Sequence, residues 1–410
     1  MTETASRTLS ALATPADIQA LGLRERLMCR WLSKLRVGRL TVSFPSGPRI
    51  TFDGDRPGPQ ATLVIHDLGV VWRLLTAGDL GFAEGYMAGQ WESPDLTALL
   101  TLGALNLPHL ETAAGGTWVA RLFNRLIHRR RANTRRGSRR NIAAHYDLGN
   151  RFYGHWLDRT MTYSSALFEA MDEPLDTAQR RKYLRLARAL DLQPGDSVLE
   201  IGCGWGGFAE IAAGEFGCRL VCLTLSREQA DFTRRRMERA GLADRVEVRI
   251  QDYRDVGGVF DKIVSIEMFE AVGETYWPVY MATLKARLKP GGRAALQVIT
   301  MDGESFAAYR DNPDFIQRYI FPGGMLPSPE AFARAVRDGR LALTDSFFFG
   351  PSYAETIRRW DKAFAAHWPE IEKLGFDARF YRMWRYYLAY CEVGFETGRI
   401  DVCHAIVENP

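Results

Sequence analysis

The sequence predicts an α/β protein built on a doubly wound parallel sheet, with a small α+β domain ahead of it. Two observations carry this. Across residues 176–300, short β-branched runs alternate with segments of helical periodicity, the pattern of strand–helix–strand units. Within them, Val198-Leu199-Glu200-Ile201-Gly202-Cys203-Gly204-Trp205-Gly206-Gly207 reads as a strand ending in a glycine-rich turn that opens a helix. Such glycines let bare backbone approach a ligand beyond the carboxyl end of the strand.

The elements follow in order. Alternating stretches at 40–44, 49–52 and 62–65, set off by Gly and Pro, predict a small sheet. Helical spacing appears at Val71, Leu74 and Leu75, and again at Leu96, Leu99 and Leu100. A helix is expected over 176–190, then strands over 197–201, 218–225, 246–251, 261–268 and 293–300. Helices are expected over 227–240 and 276–288, with Pro290-Gly291-Gly292 turning into the fifth strand. Residues 302–341 break the alternation and predict a helical cap, followed by a strand near 343–349 and aromatic-rich helices over 353–368 and 376–395. The expected domains are 1–120, a basic linker over 121–140, and 141–410, with residues 1–20 disordered.

Composition narrows the function. With 410 residues and 46% hydrophobic content the chain can bury a real core. No apolar run approaches the ~18 residues of a membrane span. The start carries Glu3, Arg7 and Asp17 among small residues instead of a signal-peptide core, so a cytoplasmic protein is expected. Six scattered cysteines with no C-x-x-C pair indicate neither a disulfide framework nor a zinc site, and no metal is expected. The net charge of +4 hides a concentration of nine arginines and no acid over 121–140. A solvated linker or a nucleic-acid arm would have this composition. Leu122, Phe123, Leu126 and Ile127 share one helical face flanked by Arg121, Arg125 and Arg129, which favours an interfacial helix on anionic phospholipid.

The glycine turn alone does not name its ligand. A nicotinamide dinucleotide fold wants an acid at the tip of the second strand, which instead ends in Thr224-Leu225-Ser226 with Gln229 beyond, a pattern that suits S-adenosylmethionine. Further motifs occur in one order: Ala144-His145-Tyr146-Asp147-Leu148-Gly149-Asn150, Met161-Thr162-Tyr163-Ser164-Ser165, Gln251-Asp252-Tyr253-Arg254-Asp255, Met268-Phe269-Glu270 and Tyr319-Ile320-Phe321-Pro322-Gly323-Gly324. With the turn they resemble the cyclopropane-fatty-acyl-phospholipid synthases over roughly residues 140–400, with a fainter echo at 85–92. The resemblance implies a Rossmann-like methyltransferase sheet with a helical cap, and a lipid-binding accessory role for the first domain.

By that resemblance, Glu200 and the turn Gly202, Cys203, Gly204, Trp205 and Gly206 hold the methionine part of S-adenosylmethionine. Thr224, Leu225, Ser226 and Gln229 hold the ribose, Asp252 and Tyr253 the adenine, and Tyr163 and Ser164 close over the reactive centre. Thr224 and Ser226 read equally as caps for the helix after them, and Tyr253 as a core aromatic. The implied acceptor is a cis double bond in an acyl chain of a membrane phospholipid, giving cyclopropane or methyl-branched unsaturated chains, at the inner face of the membrane. A bound bicarbonate would serve as base, held by Glu270, Tyr353, Ile299, and the positions now occupied by Ser165 and Gln297. The family has cysteine and histidine at those two positions, and a histidine where Ala271 stands. Gln297 can donate hydrogen bonds but cannot relay a proton as imidazole does, so proton removal from the added methyl is expected to slow and a mixture containing methyl-branched alkene to form. Glu267 has no family counterpart, and a solvated or arginine-paired role is expected for it. Phe269-Glu270-Ala271-Val272-Gly273-Glu274 resembles the alphaproteobacterial fatty-acid methylases of methyl-branched and furan-containing lipids.

A methyltransferase for a small soluble acceptor and a non-catalytic lipid-binding protein of the same fold remain as alternatives. No nucleic-acid partner is expected, since the sequence lacks an Asn-Pro-Pro-Tyr motif for bases; a homodimer and a downstream redox enzyme are partners this reading allows. The arginine concentration makes a direct prediction. The protein should sediment with anionic vesicles and lose that binding at high salt, each near-surface arginine contributing up to about 1 kcal/mol. Equal sedimentation with neutral vesicles would reject the charge argument.

Overall fold

The computed structural model describes residues 21–47, 49–110 and 148–410. The basic stretch 121–140 and residues 1–20 lie outside these. The described chain forms two compact units, residues 21–110 with 376–393, and residues 148–375 with 394–410.

In the first unit β1 (Val37–Ser43), β2 (Arg49–Asp53), β3 (Arg56–Ile65) and β4 (Trp91–Glu92) form a sheet in the order β2-β1-β3-β4. β1 runs antiparallel to β2 and parallel to β3. Helices Gly69–Met87 and Leu96–Leu110 stand where the apolar spacing puts them; helix Leu23–Leu32 was not expected. The buried Asn106 amide accepts from the N–H of Arg36 at 2.7 Å and of Val37 at 3.0 Å and donates to the Val37 carbonyl at 3.0 Å. One side chain thus satisfies the backbone where β1 begins. Residues 376–393, which the sequence reading assigns to the second domain, pack here: Tyr386 lies 5.8 Å from Tyr86, and Glu392 accepts from Thr97.

The second unit holds β5 (Ser197–Ile201), β6 (Arg219–Thr224), β7 (Val246–Ile250), β8 (Phe260–Ile266), β9 (Leu288–Met301), β10 (Ala342–Phe348) and β11 (Ile400–Glu408). Their order is β10-β11-β9-β8-β5-β6-β7. β5 to β9 are mutually parallel, while β11 is antiparallel to both neighbours. Helices Leu175–Ala189, Gly207–Gly214, Arg227–Arg239 and Trp277–Arg287 connect or flank the strands, as expected of a doubly wound sheet. Apolar side chains on both faces explain the continuous hydrophobic runs: Val198, Leu199, Ile263, Val264, Ala294 and Ala295 are all fully buried. The expected cap is present as helices Gly303–Asp311 and Pro329–Asp338 around a π-helical turn at Ile316–Ile320.

Two differences bear on function. β9 begins at Leu288, so Pro290-Gly291-Gly292 lies inside the strand instead of before it. β11 was not anticipated, and it lies between β9 and β10 at the heart of the C-terminal half of the sheet. The chain order reverses between β5 and β8, which are neighbours. At such a switch point the two strand ends diverge and leave a crevice for ligands.

Candidate active site

Three loops at the carboxyl ends of β5, β8 and β9 meet at this crevice. After β5, Gly202, Gly204 and Gly206 take φ of +85°, +51° and +82°, a left-handed region that side chains rarely adopt. A Cβ on Gly202 would stand 3.0 Å from the Met268 side chain, and one on Gly206 would stand 2.6 Å from Thr233; one on Gly204 would meet nothing within 4 Å among the described residues. The turn is therefore closed on its outer side and open at Gly204. Trp205 donates to Asn150 Oδ1 at 2.7 Å, and its carbonyl accepts from Arg236 at 3.2 Å. Glu200, buried below the turn, accepts from the Cys222 thiol, and burial pushes its carboxyl up to about 8. This cradle fits the methionine part of S-adenosylmethionine.

At the tip of β6 the expected ribose residues bond to one another. Thr224 Oγ1 donates to Gln229 Oε1 at 2.8 Å and accepts from the Ser226 N–H, while Ser226 Oγ caps helix Arg227–Arg239 by accepting from Gln229 N–H. Leu225 lies between them and is half-buried. Asp252 is clamped by Arg254 at 2.8 and 2.6 Å, and Tyr253 packs edge-on to Tyr280 at 5.3 Å. Ser226 is thus the cap of that helix, Thr224 braces it through Gln229 and the Ser226 N–H, and Tyr253 packs half-buried against Tyr280.

Rings connect the cradle to the chemistry. Tyr153 lies 5.0 Å from Trp205 and 5.4 Å from Tyr163; Tyr163 lies 5.4 Å from Trp156 and from Trp360; Trp360 lies 6.1 Å from Tyr353. Such faces attract a cation by about 0.5–2 kcal/mol each, more when water is excluded.

At the end of this wall stands Glu267, the first residue past β8, with φ +49°. Its Oε1 accepts from the backbone N–H of Ser165 at 2.9 Å and from Gln297 Nε2 at 2.6 Å, and its Oε2 from the Tyr353 hydroxyl at 2.5 Å. The expectation of a solvated or arginine-paired Glu267 is wrong: its partners are the buried groups that the resemblance assigns to bicarbonate. Burial raises its carboxyl above the ordinary range, while Tyr353, Lys182, Ser165 and Gln297 pull it back. Glu270, on the 3-10 turn Phe269–Ala271, accepts from the Ile299 N–H at 2.5 Å, and the cap's Met325 N–H reaches its carbonyl at 2.8 Å. Glu270 Oε2 is inaccessible and has no partner among the described residues. Burial first, and the nearby Glu267 second, push the Glu270 carboxyl up to about 8. Glu267 accepts three hydrogen bonds and Glu270 one, so Glu267 is the better provided of the two to carry negative charge.

Two contributors escaped the sequence reading. Lys182 is fully buried, donates to Ser164 Oγ at 2.6 Å and is lowered to about 7 by burial, against the pull of Glu267 and Asp158. Its signal was available, a lysine on the face that carries Ala178, Tyr183 and Leu186 of an amphipathic helix. His404 on β11 is registered opposite Gln297 and touches its Oε1 through Nε2 at 2.9 Å. A Gln297 amide that donates to a carboxylate must present oxygen to His404, so Nε2 carries the proton and Nδ1 accepts from Arg185 at 3.0 Å. Burial, with Arg185 and Lys182 nearby, holds His404 well below its ordinary range, hence neutral.

Bicarbonate does not fit the site so built. Ser165, Gln297 and Tyr353 already donate to Glu267, Ile299 donates to Glu270, and a third anion would lie beside a pair that cannot itself hold two charges.

Residues 133–405 match the family model described as mycolic acid cyclopropane synthetase. The chain belongs to that family. Among curated proteins it is 42% identical over 333 residues to the tuberculostearic acid methyltransferase of Mycobacterium tuberculosis, covering 79% of this chain and 78% of that one. It is 36% identical over 346 residues to the cyclopropane-fatty-acyl-phospholipid synthase of Escherichia coli, covering 82% and 86%. Among solved structures, a mycolic acid cyclopropane synthase complexed with SAH and CTAB superposes with a TM-score of 0.62 at 30% identity over 66% of this chain and 97% of that one. The mycolic acid cyclopropane synthetase fold accounts for the sheet and cradle, and the chain is an S-adenosylmethionine-dependent lipid methyltransferase.

Two predictions follow from the geometry. Gly202→Val forces a β-branched residue to φ +85° against Met268, and calorimetry should show loss of S-adenosylmethionine binding, expected near micromolar, roughly −8 kcal/mol, in the parent; unchanged affinity would remove the turn from the cofactor site. Glu270 has its carboxyl moved from the ordinary 4.5 to about 8, so the native state holds an extra proton between those values and stability falls as pH rises through them. Glu270→Gln, a permanent mimic of the protonated form, should melt at a higher temperature than the parent at pH above 8 and converge with it below pH 5. Melting curves that stay parallel across this range would show that Glu270 does not hold that proton.

Proposed function

We propose that the protein transfers a methyl group from S-adenosylmethionine to the cis double bond of an unsaturated acyl chain in a membrane phospholipid, giving mainly a methyl-branched unsaturated chain. The observation that carries this is an enclosed carboxylate pair, Glu267 with three donors and Glu270 with one, seated beside the glycine cradle through Met268. When bound, the sulfonium supplies an electrophilic methyl group. Glu200, Gly202, Cys203, Gly204, Trp205 and Gly206 hold its amino-acid end, Thr224, Leu225, Ser226 and Gln229 its ribose, and Asp252 and Tyr253 its adenine. Tyr163 and Ser164 cover the reacting face, where the ring wall excludes water and stabilises positive charge.

An alkene is a weak nucleophile, and its attack leaves a cation on the neighbouring chain carbon. A neutral, hydrated site would let water capture that cation. An aromatic lining with a fixed carboxylate at one end instead stabilises it and offers a destination for a proton. The relative at 42% identity is named for methyl transfer, which supports the branched product. The arginine concentration over 121–140 supports a phospholipid surface as the source of the acyl chain and peripheral association as the mode of access.

The test uses vesicles of unsaturated phospholipid with a donor carrying a trideuterated methyl group, read by lipid mass spectrometry. Acyl chains bearing three deuterons are expected. Product holding two deuterons in a cyclopropane ring would keep the methyl transfer and reject branching, and the absence of label from the acyl chains would reject the reading.

A further inference from the structure

Three donors converge on Glu267 from three separate elements: a backbone N–H at Ser165, the Gln297 amide on β9, and the Tyr353 hydroxyl on helix Gly350–Ala366. Such convergence is what an anion-binding hole provides. Here a side chain of the protein fills it. We propose that the Glu267 carboxylate is itself the proton acceptor of the reaction, standing where a bound bicarbonate would otherwise stand, so that turnover needs no exogenous anion; this rests on the alkene-methylation reading above.

Lone-pair accounting gives the atom. Oε1 receives two hydrogen bonds and Oε2 one, so Oε2 keeps a lone pair on the side shared with Tyr353. The position of the carboxylate is fixed from behind by a continuous series of donors, Arg185 to His404 to Gln297 to Glu267, with the buried Lys182 amine bonded to the neighbouring Ser164. Gln297 is thus a positioning residue, and its amide suits this better than imidazole would, because it must accept from His404 and donate to Glu267 at once.

The step balances as follows. The alkene π pair forms a carbon–carbon bond to the donor methyl as the methyl–sulfur bond breaks and its electrons stay on sulfur. The adjacent chain carbon becomes cationic. A proton then leaves a neighbouring chain carbon, or the added methyl where a ring closes, and the electrons of that C–H bond quench the cation. The proton arrives on Glu267 Oε2.

The experiment combines rate and binding. In buffer stripped of carbon dioxide, wild-type turnover on phospholipid vesicles should equal that with millimolar bicarbonate, and wild-type protein should leave the 13C NMR line of labelled bicarbonate unbroadened. Glu267→Gln should lose roughly 10²–10⁴-fold in turnover while still binding S-adenosylmethionine. Glu267→Gly empties the hole but keeps its donors, so it should broaden the bicarbonate line, and added bicarbonate or formate should restore part of its rate. Wild-type turnover that collapses without bicarbonate, wild-type line broadening, or full activity in Glu267→Gln would each overturn the proposal. Failure of wild type to label acyl chains under any condition would instead count against the alkene-methylation reading, and the NMR comparison would still decide the role of Glu267.

Discussion

The enclosed Glu267 carboxylate is the constraint around which the second unit is organised. An unpaired carboxylate in such surroundings would cost several kcal/mol, so its tolerance depends on three donors and a cation arriving together. Those groups come from the segment after Tyr163, from β9, from helix Leu175–Ala189 and from helix Gly350–Ala366. Each must be in place for the others to be stable. Activity and cooperative folding of this region therefore draw on the same set of hydrogen bonds.

Sheet topology supplies the registration. Parallel β5, β8 and β9 deliver their carboxyl ends to one edge, where the glycine cradle, the two glutamates and Gln297 with Ile299 meet. Antiparallel β11 then lays His404 directly across from Gln297, so a cross-strand pair becomes part of the polar network. The cap contributes through backbone as well, with Met325 bonded to the Glu270 carbonyl. Strands and helices aim Gln297, Ile299, His404, Lys182 and Tyr353, while loops and turns anchored to them aim Ser165, the two glutamates and the glycine cradle.

Much of this was legible. Alternation of strand and helix patterns located β5 to β9 within a few residues, because strands buried on both faces read as β-branched runs between glycine turns. The family resemblance that singled out Ser165, Glu270, Ile299 and Tyr353 also pointed to residues that the fold brings together. What the sequence concealed was partnership. Glu267 follows a strand and precedes a short turn, so no local pattern distinguishes a solvated glutamate from one held by residues 86 and 102 positions away. His404 escaped because its strand follows a long helix and pairs with segments a hundred residues earlier, and Gln297 could not be understood without it. Lys182 alone was within reach, as a charge on an apolar face.

The backbone at Glu267 carries one more consequence. Its φ of +49° is a conformation glycine or asparagine adopts freely and a longer side chain adopts at a cost of order 1 kcal/mol. Glycine there would relieve the backbone strain, but it would remove the acceptor that the Ser165 N–H, the Gln297 amide and the Tyr353 hydroxyl share. Backbone ease and the surrounding hydrogen bonds thus pull this codon in opposite directions, which makes it the position to hold constant when the scaffold is engineered.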